Sequence, residues 1–238
     1  MTAPLPLVVL VHGAFHGAWC WAGLQAELDK LGVASLAVDL PGHGASFEPL
    51  TDLHGDADML ARTVAHLARP VVLVGHSYGG AVISQASTEP YVQHLVYLAA
   101  LVPDCGQSPA DQMSAMPKAE GAAARLFRRL PDGVLEADPA LAPAAFYHRC
   151  QAAAVTAAVA RLSPQRASTM KQPLSRAMWQ TVPSTYIRCL DDQAVPIAAQ
   201  DLLAARCAAT LTIDADHSPF RGRPAELAQM LVGVVRGV

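Results

Sequence analysis

Apolar runs of strand length alternate with amphipathic stretches along most of the chain. "LPLVVLV" (5–11), "VASLAVDL" (33–40), "PVVLVG" (70–75), "VQHLVYLAALVP" (92–103), "PSTYIRCL" (183–190) and "ATLTIDA" (209–215) read as six strands. Their near-continuous hydrophobicity is that of strands buried on both faces of a parallel sheet. Between them, "WAGLQAELDKLG" (21–32) reads as a helix closed by Gly32, and "DADMLARTVAHLAR" (56–69) sets Leu60, Val64 and Leu67 on one helical face. "SYGGAVISQAS" (77–87), "IAAQDLLAARC" (197–207) and "AELAQMLVGVVRGV" (225–238) read as further helices. The alternation predicts an α/β fold: six strands, mainly parallel, flanked by helices.

Residues 105–180 break this pattern. The block is rich in Ala and Pro, reads as helical and offers no convincing strand. It divides the chain into a first core segment (1–104), a helical insertion (105–180) and a second core segment (181–238). An insertion between two strands of a parallel sheet lies over their carboxyl ends, where such sheets bind ligands, so it is a candidate lid. Nine Lys or Arg stand there against five Asp or Glu, although the whole chain carries −3. Those charges also suit solvated helix faces.

Composition narrows the function classes. With 52% hydrophobic and 16% charged residues, the 238-residue chain can build a large core. A net charge of −3 argues against nucleic-acid binding, which needs a basic surface. No apolar run reaches the roughly 18 residues of a membrane span, and "MTAPLPLVVLVHG" lacks the basic start of a signal peptide. The five cysteines (Cys20, Cys105, Cys150, Cys189, Cys207) are odd in number and scattered, so they read as free thiols in a reducing, cytoplasmic setting. They form no metal-binding spacing.

The chemistry is concentrated in a few turns. Gly75-His76-Ser77-Tyr78-Gly79 matches G-x-S-x-G between a predicted strand and a predicted helix, the context in which a serine is held as a nucleophile. Its hydroxyl needs a base. His217, in "TIDADHSPF" after the last strand, sits at the same sheet edge and follows the serine and acid in chain order. His12 reads as a loop-shaping residue and His43 as a turn residue; His54, His66, His94 and His148 read as surface or lid residues. The acid that orients the base could be Asp191 or Asp192 in "CLDDQAVP", with Asp104 as a rival after the preceding strand. Backbone donors for an oxyanion are expected at Tyr78 and, in the loop "VHGAFHGAWCW", at Ala14, with Phe15 as the weaker choice. Phe15, Trp19, Tyr78, Leu126, Phe146 and Trp179 are the apolar candidates for the substrate pocket.

Together "VHGAFHGAWCW", "DLPGHGAS", "GHSYGG", "LVYLAALVP" and "ADHSPF" resemble the α/β-hydrolase superfamily over essentially the whole chain. More narrowly they resemble the branch of plant methylesterases, hydroxynitrile lyases and bacterial esterase relatives. The resemblance implies a six-stranded core with a small helical lid, a small apolar ester as substrate, no cofactor, no metal and pairing of two copies through surface helices. The spacing of Asp192 to Pro196 is the one familiar from such hydrolases and favours Asp192; some relatives place the acid where Asp104 stands. Similar lyases carry Thr after the first-loop His and Lys after the base, whereas this chain has Gly13 and Ser218. These departures favour hydrolysis. A thioesterase, a hydroxynitrile-lyase-like non-hydrolytic enzyme and a ligand-binding receptor are the alternatives on this scaffold.

Overall fold

The computed structural model describes residues 4–87 and 90–238; the first three residues of the expected N-terminal core segment lie outside the described residues. Six strands form one parallel sheet: β1 (Leu7–Val11), β2 (Ser35–Val38), β3 (Val71–His76), β4 (Val92–Leu98), and, after the long middle segment, two more. That segment contains β5 (Phe127–Leu130), β6 (Val134–Ala137) and β7 (Gln165–Arg166), so the closing pair are β8 (Ser184–Cys189) and β9 (Ala209–Ile213). The sheet order is β2-β1-β3-β4-β8-β9, and every pairing is parallel.

Alternation along the strands gives the sheet two buried faces. Val9, Val11, Leu73 and Tyr97 pack on one side against α2 (Leu53–Leu67) and α3 (Gly79–Gln85). Val8, Leu10, Val72 and Val74 pack on the other against α1 (Ala22–Lys30) and the last helix (Pro224–Arg236). The chain runs left from β1 to β2 and then back across to β3, so the carboxyl ends of β1 and β3 flank a switch point, the usual ligand crevice of such sheets. The loop after β1 and the turn after β3 are thereby neighbours. So are the loops after β8 and β9.

The fourth apolar run was expected to stay in a strand through residue 103, but β4 ends at Leu98. Beyond it the backbone serves other partners: Leu101 N–H donates to Ser77 O at 3.0 Å, and the Tyr186 hydroxyl donates to Ala100 O at 3.0 Å.

The middle segment departs further from expectation, because it is not purely helical. β5, β6 and β7 form an antiparallel three-stranded sheet. The hairpin turns at Pro131-Asp132-Gly133, where Asp132 and Gly133 have φ of 61° and 71°; "PDG" is a strong turn signal, masked because the flanking four-residue strands, "FRRL" and "VLEA", are short and lack a regular apolar–polar alternation. Helices α4 (Pro109–Ser114), α5 (Ala142–Phe146), α6 (Ala152–Val159) and α7 (Ser168–Lys171) complete the segment. Leu126, Ala137, Ala142, Ala145, Phe146, Tyr147 and Ala158 form its own apolar cluster, joined by Phe15 from the loop after β1.

Candidate active site

The strand-to-helix turn after β3 forces Ser77 into a left-handed conformation, φ 52°, which a non-glycine residue adopts only when its surroundings impose it. They do so through close packing. A Cβ on Gly75 would lie 2.6 Å from Gly79 O, and one on Gly79 would lie 2.7 Å from Val11 O and His12 O. Only glycines let β3, α3 and the end of β1 approach this closely. Ser77 N–H donates to Leu98 O at 3.2 Å, which fixes the turn against β4.

His217 and Asp192 come from the loops after β9 and β8. His217 Nδ1 lies 2.7 Å from Asp192 Oδ2, and both side chains are buried. A carboxylate can only accept, so the proton sits on Nδ1 and Nε2 is left as an acceptor. Asp192 is itself held: its Oδ1 accepts Ala194 N–H at 2.7 Å and Val195 N–H at 2.9 Å. The buried Gln200 side chain ties Cys189 and Val195 together behind it. Asp191, one residue away, faces outward and pairs with His148 and Arg149 of the middle segment. Asp104 is engaged by Cys105 N–H and the Gln180 carboxamide.

Three further histidines surround the site, all buried and all with pKa held below the ordinary histidine value, chiefly by burial. His12 donates from Nδ1 to Gly13 O and accepts Leu40 N–H on Nε2, the loop-shaping position expected of it. His16, lowered to about 4, donates to Ala14 O at 2.7 Å and accepts the Tyr147 hydroxyl at 2.6 Å. His76 donates from Nε2 to His217 O at 2.8 Å and so fixes the backbone of the neighbouring imidazole. His43 donates to Pro41 O within its turn. His94, expected at the surface, is buried on β4 with Nε2 2.9 Å from Thr185 Oγ1.

The loop after β1 brings Ala14 beside the Ser77 turn, and among the described residues neither the Ala14 nor the Tyr78 amide meets a protein acceptor. Phe15 N–H, the weaker candidate, is occupied by Gln165 Oε1 at 3.2 Å. The Tyr78 side chain points away into a buried cluster, donating to Asp56 Oδ2 at 2.7 Å. Burial pushes the Asp56 carboxyl up to about 6, against the opposing hydrogen bonds of Thr51 and Tyr78.

A cavity of about 520 Å³ opens above these residues. Ala14, Phe15, Ser77, Tyr78, Leu126, Phe146 and His217 all line it, together with Met113, Met116, Met170 and Val195, which sequence reading did not single out. Two expected pocket residues do not line it. Trp19 lies behind His16, stacked on its ring at 5.6 Å with the Arg161 guanidinium over its indole. Trp179 donates to Pro103 O at 2.9 Å and packs on the core below β8. Both indoles lie in short 3-10 turns (Ala18–Trp21 and Met178–Gln180) that aim them away from the cavity.

Among the described residues no cluster of three His, Cys, Asp or Glu is placed to hold a metal ion, and no helix is long and apolar enough to cross a membrane. All five cysteines are free. The arrangement joins a strained serine turn, an oriented imidazole and two unengaged amides, groups of the kinds that acyl transfer uses.

Comparison with known proteins agrees. Residues 8–230 match the model of the alpha/beta hydrolase family. The pFDCC methylesterase MES16 of Arabidopsis thaliana is 30% identical over 251 residues, covering 98% of this chain and 95% of that protein. A carbendazim hydrolyzing esterase of Nocardioides sp. is 41% identical over 117 residues, 47% of either chain. The crystal structure of a pyrethroid hydrolase from Sphingobium faniae superposes with a TM-score of 0.84 at 24% identity, covering 98% of both chains, and shares the fold.

Proposed function

This chain belongs to the alpha/beta hydrolase family, and from that premise we propose that it is a serine carboxylesterase acting through Ser77, His217 and Asp192. The observation that carries the reading is the buried 2.7 Å contact of His217 Nδ1 with Asp192, with His217 and Ser77 both lining the one cavity. Ser77 Oγ attacks the ester carbonyl as His217 Nε2 takes its proton. Asp192 holds the imidazole in the required tautomer and stabilises the imidazolium. The amides of Ala14 and Tyr78 receive the oxyanion, and the Gly79–Gln85 helix adds its positive end. His217 then protonates the departing alcohol, and water repeats the attack on the acyl-enzyme.

The apolar cavity supports a small apolar ester, with the middle segment serving as its lid. Lys118 and Arg129 line it, and among the described residues no carboxylate does. The lining therefore disfavours cationic substrates. The surroundings of Gly13 favour hydrolysis over lyase chemistry, since a threonine there would need its Cβ 2.9 Å from Ser77 Cβ.

Hydrolysis of p-nitrophenyl butyrate by the wild-type protein and Ser77→Ala tests the reading. Multiple turnover is expected in the first and none above background in the second. Equal rates in both would overturn it.

A further inference from the structure

Phe15 directly follows the proposed oxyanion donor Ala14 and has φ 67°, a left-handed conformation that its neighbours must enforce. The middle segment grips both ends of this residue. Phe15 N–H donates to Gln165 Oε1 at 3.2 Å, and Phe15 O accepts Ser163 N–H at 2.9 Å. Gln165 is buried on β7, and its carboxamide has one workable orientation. Thr169 Oγ1 donates its proton to Arg166 O at 2.7 Å and so faces Gln165 as an acceptor. The Gln165 NH₂ end donates to it at 2.7 Å, which turns the Gln165 oxygen toward Phe15. Thr169 also lies against the hydroxyl of Tyr78, whose amide is the second proposed donor.

We infer that Gln165 is a positioning residue for the oxyanion hole, coupling the lid to the two amides that stabilise the transition state. The inference rests on the esterase reading above. Without the carboxamide, Phe15 loses the partner for its N–H, its left-handed turn relaxes and the Ala14 amide swings off the carbonyl oxygen. Such a loss acts where charge develops, not where the ground-state ester binds.

The test uses the full-length protein with p-nitrophenyl butyrate and a trifluoromethyl ketone, whose hemiketal oxyanion occupies the hole. Gln165→Met keeps the volume but removes the acceptor. It should lower kcat by about 10²-fold, the effect of losing one oxyanion donor, with KM little changed and ketone affinity falling in proportion to kcat/KM. Gln165→Glu, which keeps an acceptor for Phe15 N–H, should recover most of kcat. Thr169→Val, outside the cavity lining, should lower kcat in the same direction but less. Melting curves identify any variant that does not fold, and the remaining variants then decide.

A Gln165→Met enzyme with wild-type kcat, or one changed only in KM, would overturn the inference. So would an unchanged kcat in Thr169→Val, should Gln165→Met fail to fold. Ser77→Ala, assayed in parallel, separates this failure from that of the esterase reading: activity surviving in Ser77→Ala sinks the latter, whereas Ser77-dependent activity indifferent to Gln165 sinks only the former.

Discussion

Asp192→Asn gives a sharp test, because the structure dictates which way the new amide must point. Asp192 Oδ1, itself buried, accepts two backbone N–H groups of a half-buried loop, at 2.7 and 2.9 Å. If the asparagine turned its NH₂ toward them, two half-buried amides would lose their acceptor and face a donor instead, each costing up to about 1–3 kcal/mol. Its oxygen therefore stays with Ala194 and Val195, and its NH₂ faces His217. A donor at that place forces Nδ1 to accept and moves the ring proton to Nε2, where the imidazole cannot take the Ser77 proton. The expected loss in kcat is about 10⁴-fold, or about 5.5 kcal/mol of transition-state stabilisation. KM and melting temperature should change little, since the loop keeps both backbone hydrogen bonds and loses only the long 3.4 Å one that Gln200 Nε2 donates to Oδ2. Steady-state hydrolysis of p-nitrophenyl butyrate measures this, with Asp191→Asn as the control expected to stay near wild type. An Asp192→Asn enzyme retaining a tenth of wild-type kcat would refute the tautomer argument.

Asp56 should make stability depend on pH. Its folded pKa of about 6 lies above the ordinary 3.8, so its contribution is fully present below pH 3.8 and is lost as pH rises through 6; the shift corresponds to about 3 kcal/mol. Urea unfolding across that window should show the decline in wild type and a flatter profile in Asp56→Asn; parallel profiles would remove Asp56 as the cause. Gly13→Ala places a Cβ 2.9 Å from both Ser77 Cβ and His76 Nδ1 and should cost about 10²-fold in kcat by displacing the nucleophile; an unimpaired kcat in the folded variant counts against the close approach. Because Lys118 and Arg129 line the cavity without a carboxylate among the described residues, butyrylcholine should be cleaved about tenfold less efficiently than its neutral analogue 3,3-dimethylbutyl butyrate. Equal kcat/KM for the pair would dismiss that charge effect.

The six core strands were legible because a continuous apolar run between two helical stretches is the mark of a strand covered on both sheet faces. Chain order also placed Ser77, Asp192 and His217 at strand ends on one edge; in the structure His217 pairs with Asp192, and Ser77 and His217 line the same cavity. Other features depend on partners far along the chain. Gln165 meets Phe15 across the fold, and His76 meets the His217 backbone; neither contact has a local signature in the sequence. The small antiparallel sheet was hidden differently. Its strands are four residues or fewer, and "FRRL" has no alternating apolar face, leaving the "PDG" turn as the available clue. Trp19 and Trp179 misled because an aromatic residue in the first loop or in the expected lid says nothing about where a 3-10 turn will aim its ring.

The middle segment joins β4 to β8, which are adjacent in the sheet with Leu95 opposite Ser184. Closing a loop between such neighbours costs only about 0.6 kcal/mol more for each doubling of its length. On entropy alone, evolution or an engineer could exchange this module freely to change selectivity. The hydrogen bonds from Ser163 and Gln165 to Phe15 set a condition on that freedom. A transplanted module must bring its own acceptor for Phe15 N–H and its own donor for Phe15 O, or the recipient gains a new pocket above a misaligned catalytic loop.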